Sequence, residues 1–160
     1  DNALAAACIG TLFAVPADDI CDALTEYVPS NNRSQLTITD HNRLVVDAYN
    51  ANPTSMKAAL DNFSLIKADH KMCILGDMKE LGEASCEEHQ KVVDSLPTCG
   101  FEEVWLVGEE FANTSHPESY RIFANVEEVK AAIEACQPHD KLILIKGSNS
   151  TRLVQAVPLL

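Results

Sequence analysis

From Gln35 onward, short apolar runs alternate with stretches of helical periodicity, and polar residues fall at the joints between them. Gln35 to Thr39 and Arg43 to Ala48 flank Asp40-His41-Asn42, which predicts a hairpin. Thr54 to Ile66 has helical spacing behind Asn52, a good N-cap, and Pro53, suited to the first helical position. Met72 to Leu75 predicts a buried strand, Cys86 to Leu96 a helix, and Val104 to Val107 another strand. Tyr120 to Phe123 follows as a short strand, Val126 to Cys136 as a helix and Leu142 to Ile145 as the last strand, with a final helix beginning at Arg152. Strands alternating with helices imply an α/β fold, a Rossmann-like, mainly parallel sheet with helices on both faces. Upstream, Asp1 to Leu12 is alanine-rich with apolar positions at helical spacing, and Val15 to Ile20 has the character of a turn and cap opening a second helix that runs to about Tyr27. That first helix has no upstream cap, so the chain is expected to begin inside an element. Pro29-Ser30-Asn31-Asn32-Arg33 is polar punctuation after which the periodicity changes. The expected division is therefore 1–32, two helices from a preceding domain, and 33–160, the sheet domain.

A chain of 160 residues with 46% hydrophobic composition can build a core without staples. Its net charge of -12 offers no basic stripe for a phosphate backbone, which argues against nucleic acid and against a membrane surface. No apolar stretch reaches the roughly 18 residues of a spanning helix, and no signal-peptide order opens the chain. The six cysteines lack paired spacing and read as reduced thiols of a cytoplasmic protein. The five histidines never adopt a spacing that brings in a second ligand, so no metal site is expected within the chain.

The chemistry gathers where strands end. Asp47, Gly76-Asp77, Gly108 and Lys146-Gly147-Ser148 each follow a predicted strand, and in a parallel sheet those ends share one edge, where ligands bind. Such residues also serve as turn and cap residues anywhere. There is neither a GxGxxG fingerprint nor a phosphate-cradling GxxxxGK[ST] loop. Ser85-Cys86-Glu87-Glu88 has the form of a capping box, and His89 follows one helical turn after Ser85, either capping, exposed or polarising a substrate group. Lys146 and the backbone N–H groups of a following helix would suit an anion.

Residues 47–56, Asp47-Ala48-Tyr49-Asn50-Ala51-Asn52-Pro53-Thr54-Ser55-Met56, closely resemble the DxYNANPxSM signature of the Mur ligase family. Gly76-Asp77-Met78-Lys79-Glu80-Leu81-Gly82-Glu83-Ala84-Ser85, with His89, resembles its GDMxELGxxSxxxH element, and Lys146-Gly147-Ser148-Asn149 its KGSR element, with Asn149 in place of the arginine and Arg152 nearby. Asn2-Ala3-Leu4-Ala5-Ala6 resembles the close of the HNxxNALAA helix of the central domain, and Arg33 matches a linker arginine, here preceded by Asn32 where the family usually has Gly. The resemblance spans essentially the whole chain. It implies the tail of a central ATPase domain followed by a complete C-terminal domain, inactive alone.

In the full-length enzyme the resemblance implies ATP-dependent ligation of D-alanyl-D-alanine to UDP-N-acetylmuramoyl-tripeptide in bacterial peptidoglycan synthesis. ATP phosphorylates the tripeptide carboxylate, the dipeptide amine attacks the acyl phosphate, and phosphate leaves. Mg2+ neutralises the phosphates and is bound mainly by parts outside the chain. By the same resemblance Asn2, Arg33, Asp47 and Tyr49 are implied to face ATP, with Asn2 on adenine, Asp47 on the ribose and Arg33 on the phosphates after closure. Asn50, Asn52, His89, Lys146 and Ser148 are implied to face substrate. A monomer is expected. Two other readings stay open: a sister ligase adding one amino acid or acting on folate, and a non-catalytic module binding nucleotide or protein. An upstream GKT segment in the parent reading frame would separate ligase from module.

Overall fold

A computed structural model describes residues 2–27 and 34–160. β1 (Gln35–Ile38) and β2 (Arg43–Asp47) form the expected antiparallel hairpin, with Leu36 opposite Val45. β3 (Lys71–Gly76), β4 (Glu103–Val107), β5 (Arg121–Phe123) and β6 (Leu142–Lys146) extend it into one sheet of order β1-β2-β6-β3-β4-β5. Every pairing except β1 with β2 is parallel. The last strand in sequence therefore sits at the centre. It places Lys146 opposite both Asp47 and Leu75, and Gly76 lies opposite Val107, so the carboxyl ends meet at one edge.

The near-continuous apolar runs of β3, β4 and β6 are explained by burial on both sides. Met72, Ile74, Trp105, Val107, Ile143 and Ile145 join one core, while Cys73, Leu75, Val104, Leu106, Leu142 and Leu144 join the other. The second core is closed by α3 (Pro53–Leu65) through Met56, Leu60 and Phe63, and by α4 (Ser85–Ser95) through Val92 and Val93. The first is closed by α6 (Val126–Cys136) and by a terminal 3-10 helix, Leu153–Leu159. Burial pushes the Cys73 thiol well above its ordinary value and raises that of Cys99 as well. All six cysteines are free.

Local chemistry sets the helix ends. The Asn52 side chain accepts from the Ser55 N–H at 2.8 Å and the Ser55 hydroxyl accepts from the Asn52 N–H at 3.1 Å, a reciprocal box that starts α3. At its other end buried Lys71 donates to the carbonyls of Phe63, which also accepts the Ile66 N–H, and of Ser64, placing a cation where the helix dipole favours one. Asn42, 4% exposed, donates to the carbonyls of Pro138 and Leu160 and accepts from the Lys141 N–H, so the hairpin turn grips the far end of the chain.

Two expectations are corrected and one element is added. Ser85 is not an N-cap: a 3-10 turn, Gly82–Ala84, runs directly into α4, Ser85 is already helical, and its hydroxyl donates to Glu110 at 2.7 Å. The terminal helix is 3-10 rather than α, entered through Arg152 in the left-handed region (φ 54) and carrying Pro158, which has no N–H to give. A four-residue helix, α5 (Glu109–Ala112), was not foreseen.

α1 (Asn2–Leu12) and α2 (Ala17–Glu26) precede the sheet and pack on each other, but neither contributes a buried residue. Leu4, Ile9, Leu12 and Phe13 are more than half exposed. Arg33 and the boundary expected at 32/33 lie outside the described residues. No helix among the described residues is long and apolar enough to cross a membrane.

Candidate functional site

β2 ends in Asp47 and leads to α3 on one face of the sheet, whereas β6, its neighbour, ends in Lys146 and leads to the terminal 3-10 helix on the other face. Chain departing in opposite directions from adjacent strand ends leaves a crevice, the usual position of a ligand in an open α/β sheet. Here it is a cleft of about 260 Å³ lined by Asp47, Tyr49, Asn50, Asn52, Ser55 and Lys146. Five of the residues singled out in the sequence thus share one small site.

The Lys146 side chain is 1% exposed and forms the floor. Its ammonium donates to Asp47 Oδ2 at 2.5 Å and to the Asn50 carbonyl at 3.4 Å, which ties β6 to the end of β2 and to the elbow after it. The Asp47 side chain is 18% exposed, and its other oxygen accepts the Ser34 N–H at 3.3 Å. A carboxylate has about four lone-pair sites, so Asp47 retains acceptor capacity toward the cleft. Asn52 engages its oxygen in the α3 cap, leaving its NH₂ group as its free polar end. Tyr49, 52% exposed, forms part of the rim.

A second cleft of about 410 Å³ lies farther along the same edge, lined by residues that include Asp77, Lys79, Gly108, Asn125, Thr151 and Arg152. Asp77 organises it. Its N–H donates to the Val107 carbonyl, its own carbonyl accepts from the Ser148 N–H, and its carboxylate accepts from the N–H groups of Glu110 and Phe111 at 3.2 and 3.1 Å. One buried residue thereby joins the ends of β3, β4 and β6 and caps α5. Gly108, at φ 120, is required there, because a Cβ would run into the Asp77 carboxylate. In the sequence Asp77 stands out as a residue after a strand and as part of the GDMxELG resemblance, but its capping role does not, because its partners lie more than thirty positions away.

Ser148 is 7% exposed, and its hydroxyl accepts from the Ser150 N–H at 3.3 Å, capping the turn after β6. His89 is fully buried, with both ring nitrogens engaged, and so stands away from the rim. This overturns both the exposed and the substrate-facing expectations for His89; the overlooked signal is that His89, Val92, Val93 and Leu96 fall at i, i+3, i+4 and i+7, a core-facing stripe. Asn2 is exposed and lines a separate cleft of about 750 Å³ between α1 and α2, whose rim includes Ser34. The structure does not bring Asn2 into the Asp47 cleft. Among the described residues there is no group of three or more His, Cys, Asp or Glu side chains that could hold a metal ion.

The family profile described as the glutamate ligase domain of Mur ligases matches residues 32–149. The chain is similar to a UDP-N-acetylmuramoyl-tripeptide--D-alanyl-D-alanine ligase of Rickettsia prowazekii, 35% identical over 138 residues, covering 84% of this chain and 31% of that protein. The ligase of the same description from Treponema pallidum is 33% identical over 166 residues, covering 99% and 36%. Among solved structures, MurF from Acinetobacter baumannii superposes with a TM-score of 0.82 at 27% identity over 98% of this chain and 36% of that one. The MurF ligase of Thermotoga maritima, solved with ADP, shares the fold with a TM-score of 0.78 at 20% identity, over 95% and 35%. The chain spans about a third of the length of the curated relatives it matches.

Proposed function

Because the chain belongs to the Mur ligase family, we propose that it is the lid-side portion of an ATP-dependent ligase that joins D-alanyl-D-alanine to UDP-N-acetylmuramoyl-tripeptide. The observation that carries this reading is the cleft at the β2 and β6 ends, where Asp47, Tyr49, Asn50, Asn52 and Lys146 converge. A carboxylate with free lone pairs at a strand end suits a ribose diol, and the elbow amides suit peptide groups.

In the proposed reaction ATP transfers its γ-phosphoryl group to the tripeptide carboxylate, giving an acyl phosphate and ADP. The dipeptide amine then adds to the acyl carbon, loses its proton, and phosphate is expelled as the amide forms. Asp47 orients the nucleotide, Lys146 holds Asp47 and the Asn50 carbonyl in place, and Ser148 fixes the turn that follows β6. Arg33 and Asn2 complete the nucleotide contacts when the domains close. The phosphate cradle and the magnesium ligands are assigned to the remainder of the enzyme.

Kinetics of Asp47→Ala in the full-length enzyme test the assignment, run well below the variant's melting temperature. Loss of a ribose acceptor raises the ATP KM about tenfold. An unchanged KM for ATP would reduce Asp47 to a strand-end clamp and remove the ribose contact.

A further inference from the structure

His89 lies on α4 behind the rim, 0% exposed, with Phe111 packed edge-on at 4.7 Å between ring centroids. Its Nδ1 is 2.7 Å from the Ser85 carbonyl oxygen, which can only accept, so Nδ1 carries the hydrogen. Nε2 is then a lone pair, and the Met78 N–H donates to it at 3.0 Å. Two independent contacts thus specify one neutral tautomer. Asp77 Oδ1 stands 3.9 Å from Nε2, beyond hydrogen-bond range. The Ser85 hydroxyl donates to Glu110 rather than to the ring, so Ser85 and His89 do not form a nucleophile and base.

The Met78 amide follows Asp77, which fastens the strand ends, and precedes Lys79, whose side chain is 49% exposed and lines the second cleft together with Arg152. Met78 itself is 1% exposed, its side chain in the core. A backbone amide there needs an acceptor inside the protein, and a side chain from another element supplies it. We propose that His89 is a positioning residue: through Nε2 it holds the Met78 amide, fixes the 77–81 loop, and thereby sets where Lys79 enters the second cleft. The consequence for catalysis rests on the ligase reading given above, whereas the contact itself does not.

The test begins with NMR of the 160-residue chain. A backbone N–H bonded to an imidazole nitrogen gives a scalar coupling between the two ¹⁵N nuclei across the hydrogen bond, so Met78 N and His89 Nε2 should be coupled and the ring shifts should report hydrogen on Nδ1. His89→Leu removes the acceptor and should speed exchange of the Met78 amide about tenfold relative to amides of β3; His89→Gln, which can present an oxygen at similar reach, should restore most of the protection. In the full-length enzyme His89→Leu raises the KM of one substrate about tenfold with a smaller change in kcat, and His89→Gln rescues it. A purely structural role would instead lower the active fraction, reducing kcat with KM untouched. Absence of the coupling, failure of Gln to restore protection, or loss of kcat alone would each overturn the proposal. A wild-type enzyme without ligase activity would reject the functional reading, while coupling and exchange would still decide the role of His89.

Discussion

Lys146 and Asp47 form an ion pair with unequal access to water, 1% against 18% side-chain exposure, and the inequality predicts which partner is harder to lose. Removing one member of a buried pair leaves the other uncompensated. Asp47→Ala strands an ammonium on the floor of the cleft and should cost about 3 kcal/mol; Lys146→Met leaves a carboxylate that can rotate toward solvent and should cost about half that. Urea unfolding measures both, and equal costs would contradict the asymmetry. Cys73 gives a pH-dependent counterpart. Burial raises its folded-state pKa above the ordinary 9.0, so the folded chain keeps a proton that the unfolded chain releases. The stabilisation is full below pH 9 and is lost as pH rises beyond it. The fall in unfolding free energy between pH 8 and pH 10 should therefore be smaller in Cys73→Ala than in the wild type, and an identical fall in both would refute the linkage.

Elements with local causes were legible, and those with distant causes were not. The β1–β2 hairpin and α3 follow from alternation and from Asn52-Pro53, signals contained within a few residues. α5 has Gly108 as its N-cap, which brings no side chain; its cap is the carboxylate of Asp77, contributed by the loop after β3. Ser85 read as a cap because its own neighbours fit one, but a 3-10 turn upstream and Glu110 from α5 claimed it first. Removing Asp77 tests this dependence. Asp77→Ala leaves the N–H groups of Glu110 and Phe111 without their acceptor and should cost about 2 to 4 kcal/mol. Asp77→Asn keeps one oxygen and should cost about half as much. Urea midpoints measure the two costs, and faster hydrogen exchange at Phe111 in Asp77→Ala locates the damage. A neutral Asp77→Ala would mean that α5 holds itself.

Across the whole molecule, the class of fold followed from the order of strands and helices, but the position of β6 between β2 and β3 did not, since nothing in its apolar run names its neighbours. The Asp47 cleft depends on that insertion, which is why its residues were identifiable one by one while their meeting on a buried lysine was not. The helical pair α1–α2 stands apart energetically. With no buried residue in either helix, residues 34–160 alone should melt within about 2 °C of the full chain. A larger drop by calorimetry would show that the pair supports the sheet. The central place of β6 also bears on synthesis. Lys146 meets Asp47 99 positions later, so a ribosome making about 5 to 20 residues per second leaves the facing edge of β2 without its partner for roughly 5 to 20 s, and that of β3, whose Leu75 pairs with the same Lys146, for a shorter time. During that interval the nascent chain carries two open strand edges, each able to pair with a neighbouring polypeptide. Translation pausing or truncation before Leu142 should therefore be met in the cell by chaperone capture or aggregation, and the sheet becomes one body only when its middle arrives.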